Sequence, residues 1–215
     1  MNTYDGCLPE VFRLLIAGAS ASGKSTLLCT LLENSNGILN KDFVRVIYLR
    51  GVETSNEGRL RDKFREGLLV FDGIPPEEVL LPLCKTGVKT VLIIEDLDAQ
   101  ACRSDLISKV FTAYSHHYQF SVILSTQNIF RDGKERLTLV RNTTHIVLFP
   151  NNLDQTVVRH LAQNIHPKNP RKVIDLFEEV TQQPYGHLSF WSFCPKELKF
   201  RSHLGDIVQR IYDLD

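Results

Sequence analysis

Gly18-Ala19-Ser20-Ala21-Ser22-Gly23-Lys24-Ser25 fits G-x-x-x-x-G-K-[ST] at every defined position. The run before it, Val11–Ala17, is apolar apart from Arg13, and the segment after it, Ser25–Glu33, reads as a helix stopped near Asn34–Gly37. A glycine-bracketed turn between a buried strand and a helix is the context the motif requires. Glycines let successive backbone N–H groups point at one phosphate, and the helix N-terminus adds partial positive charge. Gly18, Ala19, Ser20, Ala21, Ser22, Gly23, Lys24, Ser25 and Thr26 are therefore the expected phosphate cradle. In it Lys24 reaches the β- and γ-phosphates and Ser25 offers a hydroxyl to Mg²⁺. The implied ligands are ATP and Mg²⁺.

Working outward, apolar runs alternate with helical segments to the end of the chain. Phe43–Leu49, Leu68–Phe71, Thr90–Ile94, Phe120–Leu124, His145–Phe149 and His187–Phe193 read as strands. Helices are expected after Pro75-Pro76 and over Arg103–Tyr118, Leu153–Asn164 and Arg171–Thr181, with loose segments at Glu53–Gly58 and Gln127–Glu135. Continuous apolar strands separated by helices predict a mainly parallel sheet covered on both faces. The fold class is α/β: one P-loop NTPase domain of the ASCE/RecA-like kind. The expected organisation is an N-terminal segment 1–10, the ATPase domain 11–194, and a C-terminal tail 195–215 packing on the domain or on a neighbouring subunit.

The length of 215 residues suits one domain, at about 100–200 residues each. With 43% hydrophobic and 23% charged residues the composition is that of a globular chain, and no apolar run approaches a membrane span. Met1–Pro9 does not read as a secretory signal. Lys+Arg and Asp+Glu are equal at 25 each, which excludes a uniformly basic nucleic-acid coat but not a local basic surface. The five cysteines are scattered without a C-x-x-C pair, pointing to a reducing compartment rather than a disulfide framework or a zinc site.

A metal-bound nucleotide needs carboxylates at the end of a nearby strand. Val91-Leu92-Ile93-Ile94-Glu95-Asp96 supplies them where open α/β sheets place ligands. One acid holds Mg²⁺ and the next activates the attacking water. Two assignments fit: Glu95 for the metal with Asp96 as base, or Asp96 with Asp98. Phe120–Leu124 leads into Ser125-Thr126-Gln127, and Gln127 is the candidate sensor of the γ-phosphate or attacking water.

Guanine specificity would need N-K-x-D after the acidic strand; Asn40-Lys41-Asp42 is mis-spaced and precedes it. No L-S-G-G-Q segment is present, so a transporter ATPase is disfavoured. A small-molecule phosphotransferase and a nucleotide-dependent assembly module remain as competing readings. The ordered segments A-S-A-S-G-K-S-T, V-L-I-I-E-D-L, S-T-Q-N-I-F, R-N-T-T-H-I-V-L-F-P-N-N-L-D and P-Y-G-H-L resemble the genome-packaging ATPases of the FtsK–HerA superfamily. Within it they are most similar to the poxvirus-type group of large DNA viruses, Polinton/Maverick elements and adintoviruses. The resemblance runs from about Leu14 to Leu204. It implies a motor that forms a homo-oligomeric ring, a pentamer or hexamer, and drives double-stranded DNA into a preformed capsid. It also implies a capsid protein at the packaging vertex as partner, no membrane association, and a place in the infected cell, at a nuclear or cytoplasmic assembly site or with the virion. Two departures stand out: the acids are in Glu-Asp order, and Leu153-Asp154 replaces the Arg-Asp frequent in these relatives.

Ring ATPases usually complete each site with an arginine from the next subunit, worth about 10³–10⁵ in rate in other P-loop systems. Arg131, Arg136 and Arg141 follow the sensor strand; Arg136 and Arg141 are the candidates. Arg131–Lys172 carries eight Lys/Arg against three acids, which suits either a phosphate-tracking surface or a solvated face. Phe190-Trp191-Ser192-Phe193 reads as core or interface, and Pro184-Tyr185-Gly186 as a turn bringing the last strand onto the sheet. If Arg136 or Arg141 acts in trans, mixing its alanine variant with Asp96→Asn restores hydrolysis that neither has alone. Absence of rescue at both positions counts against the finger.

Overall fold

The structure, a computed structural model, describes residues 10–35, 42–54, 56–85, 87–127, 129, 135–151, 155–192, 194, 199–202, 204 and 210–214. Residues 1–9 of the expected N-terminal segment, together with Arg131, Lys134, Leu153, Asp154 and Phe193, lie outside them, as does the side chain of Arg136.

In chain order the elements are β1 (Arg13–Ala17), α1 (Lys24–Glu33), β2 (Arg45–Arg50), α2 (Asn56–Phe64), β3 (Leu68–Asp72), α3 (Glu77–Cys84), β4 (Thr90–Glu95) and α4 (Asp98–Ala101). Then α5 (Asp105–Lys109) runs through a π-helical stretch, Val110–Tyr114, into α6 (Ser115–His117). β5 (Ser121–Thr126), α7 (Arg136–Asn142), β6 (His145–Leu148), α8 (Thr156–Ile165), α9 (Pro170–Val180), β7 (Leu188–Trp191), β8 (Phe200–Ser202) and β9 (Arg210–Tyr212) complete the described chain. The sheet order is β3-β2-β4-β5-β1-β6-β7-β8-β9. The six strands from β3 to β6 are parallel and the last three antiparallel.

All parallel strands end at one edge, so the turns after β1, β4, β5 and β6 gather there. β5 separates the strand before the glycine loop from the strand bearing the acids. Every residue of β4 and β5 is buried. Strand alternation sends Leu14 and Ile16 to one face with Leu28, Leu31 and Leu32 of α1. Leu15 and Ala17 go to the other face, with Ile107, Phe111, Leu161 and Phe177. Helices thus cover both faces, the α/β architecture expected from the apolar runs.

The differences from expectation have physical causes. α2 falls partly in the expected loose segment because it carries little apolar signal; its buried Glu57 accepts from Arg61 (Nε, 2.9 Å) and from Arg50 instead. The expected tail supplies β8 and β9, which extend the sheet from β7. Arg201 of β8 is fully buried with its guanidinium 3.9 Å from the Trp191 ring centre. Cys29, Cys84, Cys102 and Cys194 are free and buried. Among the described residues no helix is long and apolar enough to cross a membrane.

His145 opens β6 in the core, 2.6 Å from Thr144 Oγ1 and edge-on to Trp191. Burial, reinforced by Arg201 and Arg13, lowers its pKa from the ordinary 6.5 to about 3. The folded state therefore holds it neutral, and its contribution, whole above pH 6.5, is lost as pH falls toward 3. Replacing His145 by Asn should flatten the acid limb of stability by up to about 1.4 kcal/mol per pH unit. Urea midpoints at pH 7.5, 6 and 5 check this; parallel curves for the two proteins would refute it.

Candidate functional site

The glycine loop is pinned at its start by both strands that flank β1. Gly18 N–H donates to Thr126 O (3.3 Å), and Phe149 N–H to Ala17 O (2.8 Å). A Cβ on Gly18 would lie 2.5 Å from Phe149 Cβ, so only glycine passes. Gly23 takes φ 106 directly before α1 and gives no side-chain cap. The first N–H groups of α1 are thus left for a ligand. Lys24, 7% exposed, donates from Nζ to Gly18 O (2.9 Å) and Ala19 O (2.7 Å), drawing the ammonium across the loop. Burial lowers its pKa, opposed by the charges of Asp96, Glu95 and Asp98. The loop ammonium and all three acids therefore share one electrostatic site.

The acids differ sharply in environment. Glu95, 2% exposed, accepts from Ser25 Oγ at Oε1 (2.6 Å) and from the Tyr48 hydroxyl at Oε2. The chain then turns: Asp96 adopts φ 54 and is exposed. Gly51 makes this turn possible. Its N–H donates to Glu95 O (2.9 Å), and a Cβ there would meet Asp96 O at 2.1 Å. Asp98 accepts the Gln127 N–H at Oδ2 (3.0 Å), while its Oδ1 is buried without a partner. One carboxylate therefore faces the loop hydroxyl, one faces solvent at the strand tip, and the third fixes the backbone after β5.

Gln127 is exposed just past β5, its backbone held by Asp98. Ser125 stands in register with Glu95, and its buried hydroxyl has no partner. α7 runs away from this edge: Arg13, at the opposite end of β1, donates from Nε to Asn142 O, and Thr144 N–H returns to Arg13 O (2.9 Å). The exposed Arg141 therefore lies near the amino edge, about 16 Å along β1 from its own glycine loop at about 3.3 Å per residue. Arg136 begins α7, about 8 Å nearer the carboxyl edge at about 1.5 Å per residue. Arg141 does not approach Glu95 of its own chain.

Among the described residues no group of three or more His, Cys, Asp or Glu side chains is placed to hold a metal ion. Ser25 Oγ and the Glu95 carboxylate, 2.6 Å apart, still fit Mg²⁺, which commonly takes one or two protein oxygens and completes its shell with phosphates and water. Sequence reading missed Tyr48 and Gly51. It placed Pro184–Tyr185–Gly186 as a turn before the last strand, without foreseeing that the Tyr185 ring lies against Gly23.

No family model matches the chain, and no curated protein matches it. Solved structures do. The genome packaging NTPase B204 of Sulfolobus turreted icosahedral virus 2, in complex with AMPPCP, aligns with TM-score 0.62 over 96% of this chain and 99% of that one, at 16% identity. The chain has the fold of B204. The same protein with ATP-gammaS gives 0.59 over 96% and 98%, at 17% identity. B204, the DNA-packaging ATPase from Sulfolobus Turreted Icosahedral Virus, gives 0.60 over 95% and 98%, at 16% identity.

Tyr48→Phe leaves Glu95 Oε2 buried without its donor. Burial raises the tyrosine's pKa well above its ordinary value, so in the native protein the hydroxyl keeps its proton to donate. The variant should lose about 1–3 kcal/mol of stability, read as a lower urea midpoint at unchanged slope. An unchanged midpoint would mean that the hydroxyl supports nothing.

Proposed function

We propose that this chain is an ATP-hydrolysing motor that moves double-stranded DNA into a preformed capsid, a genome-packaging ATPase of the FtsK–HerA superfamily. The observation that carries the ATPase reading is the buried Glu95 carboxylate shared between Ser25 of the phosphate-loop helix and Tyr48, beside the folded-back Lys24. The packaging reading draws support from the B204 likeness, which covers nearly all of both chains, and from the ordered motifs.

In this reading the loop N–H groups and Lys24 bind the phosphates, and Ser25 and Glu95 hold Mg²⁺. When bound, Mg²⁺ offsets charge on the β- and γ-phosphate oxygens. Asp96, exposed at the strand tip, takes the proton of the attacking water as its oxygen bonds to the γ-phosphorus and the bond to ADP breaks. Gln127, fixed through its backbone by Asp98, orients that water or senses the γ-phosphate. The hydroxyl-bonded, buried Glu95 supports the metal role and the exposed Asp96 the base role; the alternative pair, Asp96 for the metal with Asp98 as base, is disfavoured because one oxygen of Asp98 holds the backbone after β5. Arg136 or Arg141 completes the site of the next subunit in a ring. Exposed Arg141, Arg159 and Lys168 are candidates to track DNA phosphates. Arg171 is paired with Asp175 (2.7 Å), and Lys172 donates to Leu214 O (2.8 Å), so both contribute less free charge. A capsid protein at the packaging vertex docks the ring, inside the infected cell.

Steady-state ATP hydrolysis with and without linear double-stranded DNA tests the proposal. Wild type should hydrolyse ATP faster with DNA, with the gain shrinking as salt rises. Lys24→Ala should abolish turnover, and Asp96→Asn should bind ATP without turning it over. Hydrolysis indifferent to DNA would contradict the motor reading; turnover that needs an added small-molecule acceptor would make the chain a phosphotransferase.

A further inference from the structure

A row of side chains crosses the parallel strands near their carboxyl edge. Register aligns Asp72 of β3 with Arg50 of β2, Arg50 with Glu95 of β4, Glu95 with Ser125 of β5, and Ser125 with Ile16 of β1. Side chains so aligned in parallel strands share a face, and neighbouring strands lie about 4.8 Å apart. The face is the one under α1. Two residues back on their strands, Ile93 and Ile123 pack in the same cluster as Ile16, Leu28 and Leu31. Ser125 therefore stands beside the Glu95 carboxyl, on the flank away from β2.

The charged members of this row are engaged. Arg50 donates to Asp72 Oδ1 (2.8 Å) and pairs with Glu57. Glu95 accepts from Ser25 Oγ (2.6 Å) and from the Tyr48 hydroxyl. Ser125 differs. It is 1% exposed, and its Oγ has no partner among the described residues. A hydroxyl buried in this way costs stability that an alanine at the same place would not. Its neighbour has the matching capacity: a carboxylate offers about four acceptor positions, and Glu95 fills two of them.

The loaded site calls for such a donor. Ser25 is needed there twice, as donor to Glu95 and as an oxygen ligand for Mg²⁺. A carboxylate that gives an oxygen to a metal ion is oriented by hydrogen bonds from the residues behind it. Tyr48 supplies one from β2. Among the described residues no donor reaches Glu95 from the β5 flank, where Ser125 stands. We infer that Ser125 is a positioning residue for the metal carboxylate: its hydroxyl donates to Glu95 in the Mg²⁺-loaded site and fixes the orientation in which Glu95 meets the ion. The role is separate from that of Gln127, which lies exposed past the end of the strand. The inference rests on the assignment of Glu95 to the metal and adds to it the residue that holds Glu95 from β5.

Calorimetric titration of the full chain with ATP, with and without Mg²⁺, tests it, beside urea unfolding of the ligand-free protein. Mg²⁺ should tighten ATP binding in wild type. In Ser125→Ala that gain should shrink about tenfold, the lower end of what losing such a supporting donor costs a metal site. Metal-free ATP affinity should stay within about twofold, and the urea midpoint should equal or exceed that of wild type, because alanine removes a hydroxyl that had no partner. Ser125→Cys, close in size but a weak donor, should lose the gain as alanine does. A full Mg²⁺ gain in Ser125→Ala would overturn the inference. A full gain in Ser125→Cys would overturn it too, since only side-chain volume would then matter. So would a lower urea midpoint in Ser125→Ala, or equal loss of ATP affinity with and without metal, either of which makes Ser125 an ordinary packing residue. A wild type indifferent to Mg²⁺ would instead overturn the metal reading of Glu95, and this inference with it.

Discussion

The site is organised around a carboxylate that has been taken out of water. Glu95 is 2% exposed, and a carboxyl group so buried is tolerated only if its oxygens are satisfied. Two hydroxyls do this, one from Ser25 in α1 and one from Tyr48 in β2. The pair of bonds ties the phosphate-loop helix, the acidic strand and its neighbour into one unit. The Ser25 bond also fixes α1's first turn on the acids' side of the loop, and with it the cradle formed by the helix N-terminus.

The rest of the architecture places that carboxylate. Parallel strands end at a common edge, and β5 lies between β1 and β4. Gly51 lets β2's exit pass under Asp96, which throws that second acid outward into solvent. Asp98 then ties the exit of β5 to the exit of β4. On the other flank, β6 brings Phe149 against Gly18 and Gly23, and the turn before β7 brings Tyr185 there. The acids and the cleft that Phe149 and Tyr185 line beside α1 are thus assembled from opposite halves of the sheet.

Much of this was legible in the sequence, for a physical reason. Buried parallel strands are continuous apolar runs, so T-V-L-I-I and S-V-I-L announce themselves, and the glycine loop is dictated by backbone geometry. α2 was not legible because its buried Glu57 is stabilised by arginines rather than by an apolar stripe. β8 and β9, with three residues each, are too short to show a period. Tyr48 was invisible as a site residue: in F-V-R-V-I-Y-L a hydroxyl-bearing aromatic looks like core, and its partner lies 47 residues away. The sequence placed a turn at Tyr185 but could not say what it leans on. Arg136 and Arg141 stay a pair because the role proposed for them acts on another copy of the chain.

The most direct test of the account is the Mg²⁺ dependence of ATP affinity in wild type, Glu95→Ala and Asp96→Ala. The account predicts that Mg²⁺ tightens ATP binding in wild type and in Asp96→Ala but has no effect in Glu95→Ala, which still binds metal-free ATP. A Mg²⁺ effect that survives in Glu95→Ala and vanishes in Asp96→Ala would contradict it. The metal would then belong to the exposed acid, and the buried carboxylate would be only a structural link.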